Sequence, residues 1–421
     1  MSQKMMAGLK EFKREGARLL ETMTAPVLIS LNLKNFKYFN QIYGEDEGDE
    51  VLQHLKNHFC HNESSCIMAA MSYVDHMDCL AEADGRENPK DDLKNSIRSF
   101  VEEMSIDYPL AKIHLDVGIY IVNNPKEESF ADALDNARYA RRSIISDYRS
   151  SIAIYRESMR KKLEDEAKVI PIFEYALEHD TIELYFQPKF SIDDHKLIGA
   201  ELLSRIYDKD GSVLMPSLYI PVLEKSGLIG HLDEYIIDSL IEEMLRWQEE
   251  GWDYPVISVN LSRVDFLEPG MIERIDKKIT ESGLPKEKLE FELTETTFCE
   301  NFDEIVGKIE WMRKQKYRIS MDDFGTGYNS LDVLGTVPVD VVKFDRAFVI
   351  HSLKNPKGIK LMEGLIRMFR HIDFDVICEG VETKSEEELV YQCGCNAVQG
   401  FLYDKPIRKP DFEAKYLVAT V

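Results

Sequence analysis

Residues 318–327 read RISMDDFGTG. A short apolar run, Arg318–Met321, stops at two adjacent acids, Asp322 and Asp323, and a loop with Gly325 and Gly327 follows. Glycine lets backbone pass close to a bound group, so paired acids ahead of such a loop suit a site for cations and phosphate. The same grammar recurs on both sides of this stretch. Apolar runs lie at 182–190, 197–203, 256–261, 289–293, 339–344, 374–378 and 397–402. Between several of them an apolar residue returns every three or four positions: Leu232, Ile236, Leu240, Met244 and Trp247, then Ile305, Ile309 and Met312, then Ile359, Met362, Ile366 and Phe369. That spacing predicts helices. Eight strands alternating with helices over roughly 250 residues predict an α/β fold, a TIM-like (β/α)8 barrel. Only residues 191–196 separate the first two runs, too few for a helical crossover, so the first strand is expected to be antiparallel.

Polar residues mark the strand ends. Glu201 lies in the second run, Asn260 ends the third, Glu292 and Glu295 the fourth, Asp322 and Asp323 the fifth, Lys343 the sixth and Glu379 the seventh, with Gln399 in the eighth. Barrel active sites form at the C-terminal ends of strands, so these groups are expected to converge. Any one of the acids alone reads as well as a helix cap or a solvated charge. Together they are harder to explain: several carboxylates share a pocket only if cations neutralise them or some are protonated. Hard oxygen donors favour Mg2+ or Mn2+, and the number of carboxylates suggests two ions, the equipment of phosphodiester hydrolysis. Lys343, in an apolar strand, is costly to bury without an anionic neighbour.

Composition bounds the rest. The chain has 421 residues and a formal net charge of −24, with 76 acidic side chains against 52 Lys plus Arg. Residues 1–157 hold 19 basic and 26 acidic groups, and the remainder 33 and 50. Such a chain is a poor binder of nucleic-acid polymers, which need surplus positive charge. Bound metal ions would still admit a small anion. The seven cysteines show no C-x-x-C spacing and read as reduced thiols of a cytoplasmic protein. The start has no secretory core, and no apolar run approaches the roughly 20 residues of a membrane helix. The segment 158–167, SMRKKLEDEA, alternates in charge like a solvated helix joining two domains.

With these motifs in place, the second half resembles an EAL-domain cyclic di-GMP phosphodiesterase. Glu201-Leu-Leu-Ser-Arg205 matches the name-giving segment, and FQPKF, VNLS, FELTE, DDFGTGYNSL, VVKFD, CEGVE and VQGF occur in the family's order. The resemblance implies that Glu201, Asn260, Glu292 and Asp322 hold a first metal ion, with Asp322 shared with a second held by Asp323. Glu379 would act beside the metals, directly or through water, Lys343 would orient or deprotonate the attacking water, and Gln399 would position the catalytic groups or substrate. Glu295 would anchor the loop after the fifth strand. Gln187 and Arg205 would contact the substrate, and Asp345 and Glu382 would stand behind the site, Asp345 close to the substrate. The departures are Leu202 for Ala, Ile206 for an aromatic residue and Asn329 for Ser. None removes a ligand or the lysine, so the expectation is opening of cyclic di-GMP to linear pGpG. A receptor that binds without cutting is the competing reading, but such relatives lose several of these residues. The family commonly dimerises through the barrel, which implies a homodimer.

Residues 1–157 resemble a GGDEF diguanylate cyclase domain in degraded form, an α/β sandwich. LNLKNFKYFNQIYG aligns with the family's D-x-D-x-F-K-x-x-N-x-x-x-G, with Asn32 and Lys34 where acids belong. The signature falls at Tyr73-Val-Asp-His-Met77, with His76 in place of the metal-binding Glu. Cyclase activity is therefore not expected. Asn40 and Asp49 match positions that read guanine, so GTP binding without turnover stands beside a plainer reading as a backbone cap and a solvated acid. The expected division is a degenerate GGDEF-like domain over 1–157, a helical linker over 158–170 and an EAL domain over 171–421.

Overall fold

The structure, a computed structural model, describes residues 5–6, 8–62, 66–83, 89–144, 149–299, 301–325 and 334–419. The chain forms two compact units that divide between Ala167 and Lys168. The helix Glu157–His179 is continuous across that division, with Pro171 inside it. The charged segment 158–170 is therefore the first part of a longer helix and not a separate element. Among the described residues no helix is long and apolar enough to cross a membrane. The six described cysteine side chains are buried.

In the first unit, strands β1 (Met5–Met6), β2 (Pro26–Lys34), β3 (Cys66–Tyr73), β4 (His76–Glu82), β5 (His114–Ile121) and β6 (Ser151–Ile154) form one sheet, ordered β1-β3-β4-β2-β5-β6. Side chains of a strand alternate between faces, and β2 uses both. Val27, Leu31 and Leu33 pack with the helices Phe36–Tyr43, Glu45–Asn57 and Pro89–Asp107. Leu28 joins Phe12, Leu20, Phe130 and Ala137 from the helices Leu9–Leu20 and Phe130–Arg142 on the other side. A sheet with apolar helices on both faces is the α/β sandwich expected of this unit.

In the second unit, eight strands close on themselves. β7 (Ile182–Ser191) pairs antiparallel with β8 (Leu197–Tyr207), which also carries the short edge strand β9 (Val213–Leu214). After β10 (Trp252–Asp253), the strands β11 (Val256–Asn260), β12 (Leu289–Thr294), β13 (Arg318–Phe324), β14 (Val341–Phe344), β15 (Asp375–Glu379) and β16 (Ala397–Gln399) continue from β8 in parallel. β16 returns to pair antiparallel with β7 and completes the barrel, with β17 (Ile407–Arg408) paired to β7 outside it. β18 (Val418–Ala419) pairs with β10 apart from the barrel. The predicted helical stripes face inward: Leu232, Ile236, Leu240, Met244 and Trp247 are all buried on the helix Ile229–Glu249. Parallel strands point their C-terminal ends to one mouth, so the polar strand-end residues meet there.

Candidate active site

Register places the polar residues side by side. Asn260 lies opposite Glu292, Gln187 opposite Glu201, and Glu379 opposite Gln399. In a regular strand, neighbours Asp322 and Asp323 would face opposite ways. Here the pairing of β13 with β14 is irregular between Met321 and Phe324, and Asp323 takes a left-handed φ of 58°. The bulge turns both acids toward the mouth, where both line one cleft. Gly325, with φ of 100°, follows at once and meets a position that L side chains rarely adopt. The loop 326–333 beyond it, including Asn329, lies outside the described residues.

Lys343 stands at the centre and is fully buried. Its Nζ lies 2.5 Å from Glu292 Oε2, 2.7 Å from Glu379 Oε1, 3.2 Å from Asp322 Oδ1 and 3.3 Å from Glu201 Oε2. Around this ring, Asn260 Nδ2 donates to Glu201 Oε1 at 3.0 Å, and Gln399 Nε2 donates to Glu201 Oε2 at 2.6 Å and to Gln187 Oε1 at 3.1 Å. Burial opposes the charge of Lys343, but Asp322, Glu201, Glu292 and Glu379 outweigh it and hold its pKa well above the ordinary value. Burial likewise works against Glu292, yet Lys189 and Lys343 bring its carboxyl down to about 2. For Asp322 burial wins and its pKa stands well above normal, while Glu379 is raised to about 7. Four carboxylates from β8, β12, β13 and β15 thus share one ammonium. The cluster retains negative charge that further cations can neutralise.

Oxygens of Glu201, Glu292 and Asp322 all lie within 4.8 Å of one another. That hard donor set, with Asn260 bonded to Glu201 beside it, fits a divalent ion such as Mg2+ or Mn2+. The Oε1 of Gln399 is buried with no hydrogen-bond partner, which also points to a site completed by something other than protein. Two recesses flank the ring. A cleft of about 360 Å³ runs past Asn260, Asp322 and Asp323 to Arg205 and Tyr219, and a smaller one of about 160 Å³ opens between Gln187, Glu379, Gln399 and Arg346. Arg205 donates to the carbonyl of Ser204 at 2.8 Å and lies over the Tyr185 ring, leaving further N–H groups for a ligand.

Three expected residues stand apart from the ring. Asp345 caps the helix Arg346–Leu353, its Oδ1 accepting from the Ala347 amide at 2.7 Å, so that carboxylate is committed to backbone. Glu382 pairs with Arg346 at the rim. Glu295 is buried in the turn Glu295–Cys299, and the loop it was expected to anchor lies outside the described residues.

The sequence reading missed Lys189. From β7 its Nζ reaches under the ring to Ser258 Oγ at 2.8 Å, Glu290 Oε1 at 3.1 Å and Glu292 Oε1 at 2.7 Å. The signal was present: a lysine between Pro188 and Phe190, the same anomaly that drew attention to Lys343.

A second pair of acids lies under the cleft wall. Asp233 and Asp265 are both buried, and Asp265 Oδ2 accepts the Ser262 amide in a capping box. Burial first, and the facing Asp265 second, hold Asp233 well above the ordinary carboxylate range, and burial raises Asp265 too. An acid with a raised folded-state pKa stabilises the fold fully below its unfolded value. That stability is lost as pH rises from about 4 through the folded value. Asp233→Asn is therefore expected to gain stability on the order of 1 kcal/mol at pH 8 and to lose that advantage near pH 4. Denaturant unfolding at the two pH values checks it, and an equal difference at both would remove the shared-proton explanation.

In the amino-terminal unit, the signature residues fall on a β-hairpin. β3 ends at Tyr73, β4 begins at His76, and His76 lies opposite Asn32 of β2. Lys34 places its ammonium 3.0 Å from Asp116 Oδ2. The Oδ1 of Asn40 is buried without a hydrogen-bond partner, and Asp49 is exposed.

Two family models match the chain: EAL domain over residues 172–406, and diguanylate cyclase, GGDEF domain over residues 8–144. The chain is 28% identical over 400 residues to signaling protein YkoW of Bacillus subtilis (strain 168), covering 92% of this chain and 48% of YkoW. It is 26% identical over 397 residues to the bifunctional diguanylate cyclase/cyclic di-GMP phosphodiesterase MucR of Pseudomonas aeruginosa, covering 94% and 57%. The structure is also similar to that of the PaMucR phosphodiesterase, c-di-GMP complex, with a TM-score of 0.55 and 29% identity over 58% of this chain and 99% of that one. The chain spans about half the length of the curated relatives it matches.

Proposed function

The chain belongs to the EAL domain family, and from that premise we propose that its barrel hydrolyses cyclic di-GMP to linear pGpG with Mg2+ or Mn2+ bound at the mouth. The observation that carries this reading is the ring itself: Lys343 held within 3.3 Å of four carboxylates from four strands. Glu201, Asn260, Glu292 and Asp322 would hold one ion, and Asp322 with Asp323 a second, Glu379 standing beside them. When bound, such ions supply Lewis acidity at the phosphate.

The protein groups do the rest. Arg205, with its charged fork at the far end of the larger cleft, takes a phosphate. Gln187 and Gln399, bonded to each other, orient the ligand from the smaller recess. Lys343 keeps its proton in this company, which favours orienting the attacking water over deprotonating it. Glu379, 2.7 Å from Lys343 Nζ and lining the smaller recess, is the carboxyl placed to accept the proton of the water. Water adds to phosphorus, one ring P–O bond breaks, and the released ribose oxygen takes up a proton. A homodimer formed through the barrel belongs to the same reading. The amino-terminal unit, with Asn32, Lys34 and His76 in place of acids, is proposed to regulate and not to cyclise, with GTP as its candidate ligand.

Incubation of the chain with cyclic di-GMP and Mg2+ or Mn2+, followed by chromatography, is expected to yield pGpG. Glu201→Ala should lower the metal-dependent rate at least about 100-fold. Bound but uncut ligand would instead support a receptor, and an unchanged rate in Glu201→Ala would overturn the ligand assignment. GTP added to the same assay is expected to change the rate, and no change with no binding removes GTP as a regulator.

A further inference from the structure

A second cluster of metal-type donors lies in the amino-terminal unit, independent of the barrel. His54 is on the helix Glu45–Asn57, and His58 follows one turn later at the start of the π-type turn His58–Asn62. Residues four apart on a helix share a face, so both rings project the same way. They face Glu103 on the helix Pro89–Asp107: His54 Nε2 is 3.0 Å from Glu103 Oε2, and His58 Nδ1 is 3.9 Å from the same oxygen. One donor atom from each residue lies within 4.8 Å of the other two.

The state of His58 is the telling feature. It is 93% buried, with 7% of its surface exposed. Its Nε2 lies 3.0 Å from the carbonyl oxygen of Ser96, which can only accept, and 3.1 Å from the Ser96 hydroxyl, which can do either, so the contacts favour the ring with its hydrogen on Nε2. In the neutral ring Nδ1 then holds a lone pair. That atom is buried, has no hydrogen-bond partner, and is directed at a carboxylate oxygen. At 3.9 Å the gap is too long for a hydrogen bond, and a lone pair facing an anion is unfavourable. A ring nitrogen whose opposite N–H is fixed by a backbone carbonyl is also the arrangement that readies histidine for a metal.

We propose that His54 Nε2, His58 Nδ1 and Glu103 Oε2 bind a divalent transition-metal ion, for which Zn2+ fits best. Imidazole donors select such ions over Mg2+, and three protein ligands leave one position to water. Tetrahedral zinc with bonds of 2.0–2.2 Å would set its donors about 3.4 Å apart. The observed 3.0 and 3.9 Å bracket that spacing, so small side-chain rotations close the site. Phe100, fully buried, packs against both rings and limits their alternatives. The ion would tie the helix Glu45–Asn57 to the helix Pro89–Asp107, holding the two cover helices of that face together.

The test is Zn2+ binding to the full chain by equilibrium dialysis in excess Mg2+, which competes at the oxygen-rich barrel mouth. The chain is expected to bind one more tightly held Zn2+ than His54→Ala, and Glu103→Gln should weaken that ion at least about tenfold. Both changes are at half-exposed side chains, and an unchanged far-ultraviolet circular dichroism spectrum confirms that the variants fold. Co2+ should give a visible absorption band with the parent that His54→Ala lacks. Zn2+ should raise the thermal midpoint of the parent alone. Equal zinc uptake by parent, His54→Ala and Glu103→Gln, or identical Co2+ spectra, would overturn the site and leave the three residues as an ion pair of protonated histidine.

Discussion

Lys343→Met is expected to abolish hydrolysis of cyclic di-GMP while tightening the binding of divalent cations. Both follow from its place among Glu201, Glu292, Asp322 and Glu379. Methionine keeps the length and apolar stem of lysine but removes the charge, so the four carboxylates lose their one shared counter-ion. In the metal-free protein this leaves buried acids unpaired, a change of about 3–5 kcal/mol against folding. A divalent ion gains by the same amount of relieved competition, so its affinity rises. Turnover should nevertheless fall by about 100-fold to 10,000-fold, because the other ammonium at the ring, Lys189, reaches Glu292 from beneath and does not stand at the mouth to orient water. Lys343→Arg should recover stability better than rate, since a planar fork cannot place one donor between four acids. Calorimetric titration with Mn2+ and the chromatographic rate at saturating metal separate the two effects. If metal-loaded Lys343→Met works near the parental rate, the lysine is a counter-ion only, and the orienting role is wrong.

The barrel was legible because its signals are local. Each strand is a short apolar run with a polar end, and the six-residue gap after the first strand allowed only a hairpin, which β7 and β8 form. Convergence of Glu201, Asn260, Glu292, Asp322, Lys343, Glu379 and Gln399 then followed from the parallel arrangement. What stayed hidden depends on geometry between distant residues. Alternation would have sent Asp322 and Asp323 to opposite faces, and only the bulge with a left-handed Asp323 brings both to the cleft. Asp345 reads as one more acid after a strand, but the helix that begins at Arg346 claims it as a cap. In the amino-terminal unit, His54 and His58 gain meaning only when Glu103, 45 positions beyond His58, folds against them. A sequence pattern shows which residues can face inward. It does not show which pairs meet.

Lys189→Met should destabilise the barrel about as much as Lys343→Met, although Lys189 lies behind the mouth. The two lysines belong to one column of alternating charge. Asp375 pairs with Arg318, Arg318 with Glu290, Glu290 with Lys189, Lys189 with Glu292, and Glu292 with Lys343 at the centre of the ring. Gly199 packs beside this column, where a Cβ would stand 3.2 Å from the Val256 carbonyl oxygen and 3.4 Å from Lys189 Cδ. Loss of the Lys189 ammonium leaves the buried Glu290 with Arg318 as its counter-ion and leaves Glu292 free to turn its Oε1 away, so about 3–5 kcal/mol of stability should go. Turnover should drop with little change in KM, since Glu292 loses its fixed orientation while Arg205 and Gln187 are untouched. Adding Glu290→Gln removes the buried charge that Lys189 no longer balances and should restore part of the stability in Lys189→Met, while on its own it weakens the pairing with Arg318 and Lys189. Denaturant unfolding of the four proteins yields the coupling, which for groups in one network reaches about 0.5–3 kcal/mol. Additive effects would mean that Lys189 fills space beneath the ring without holding Glu292. Strong coupling with rescued stability but unrescued rate would instead assign Lys189 the positioning of Glu292, the acid through which the floor of the barrel reaches the reacting phosphate.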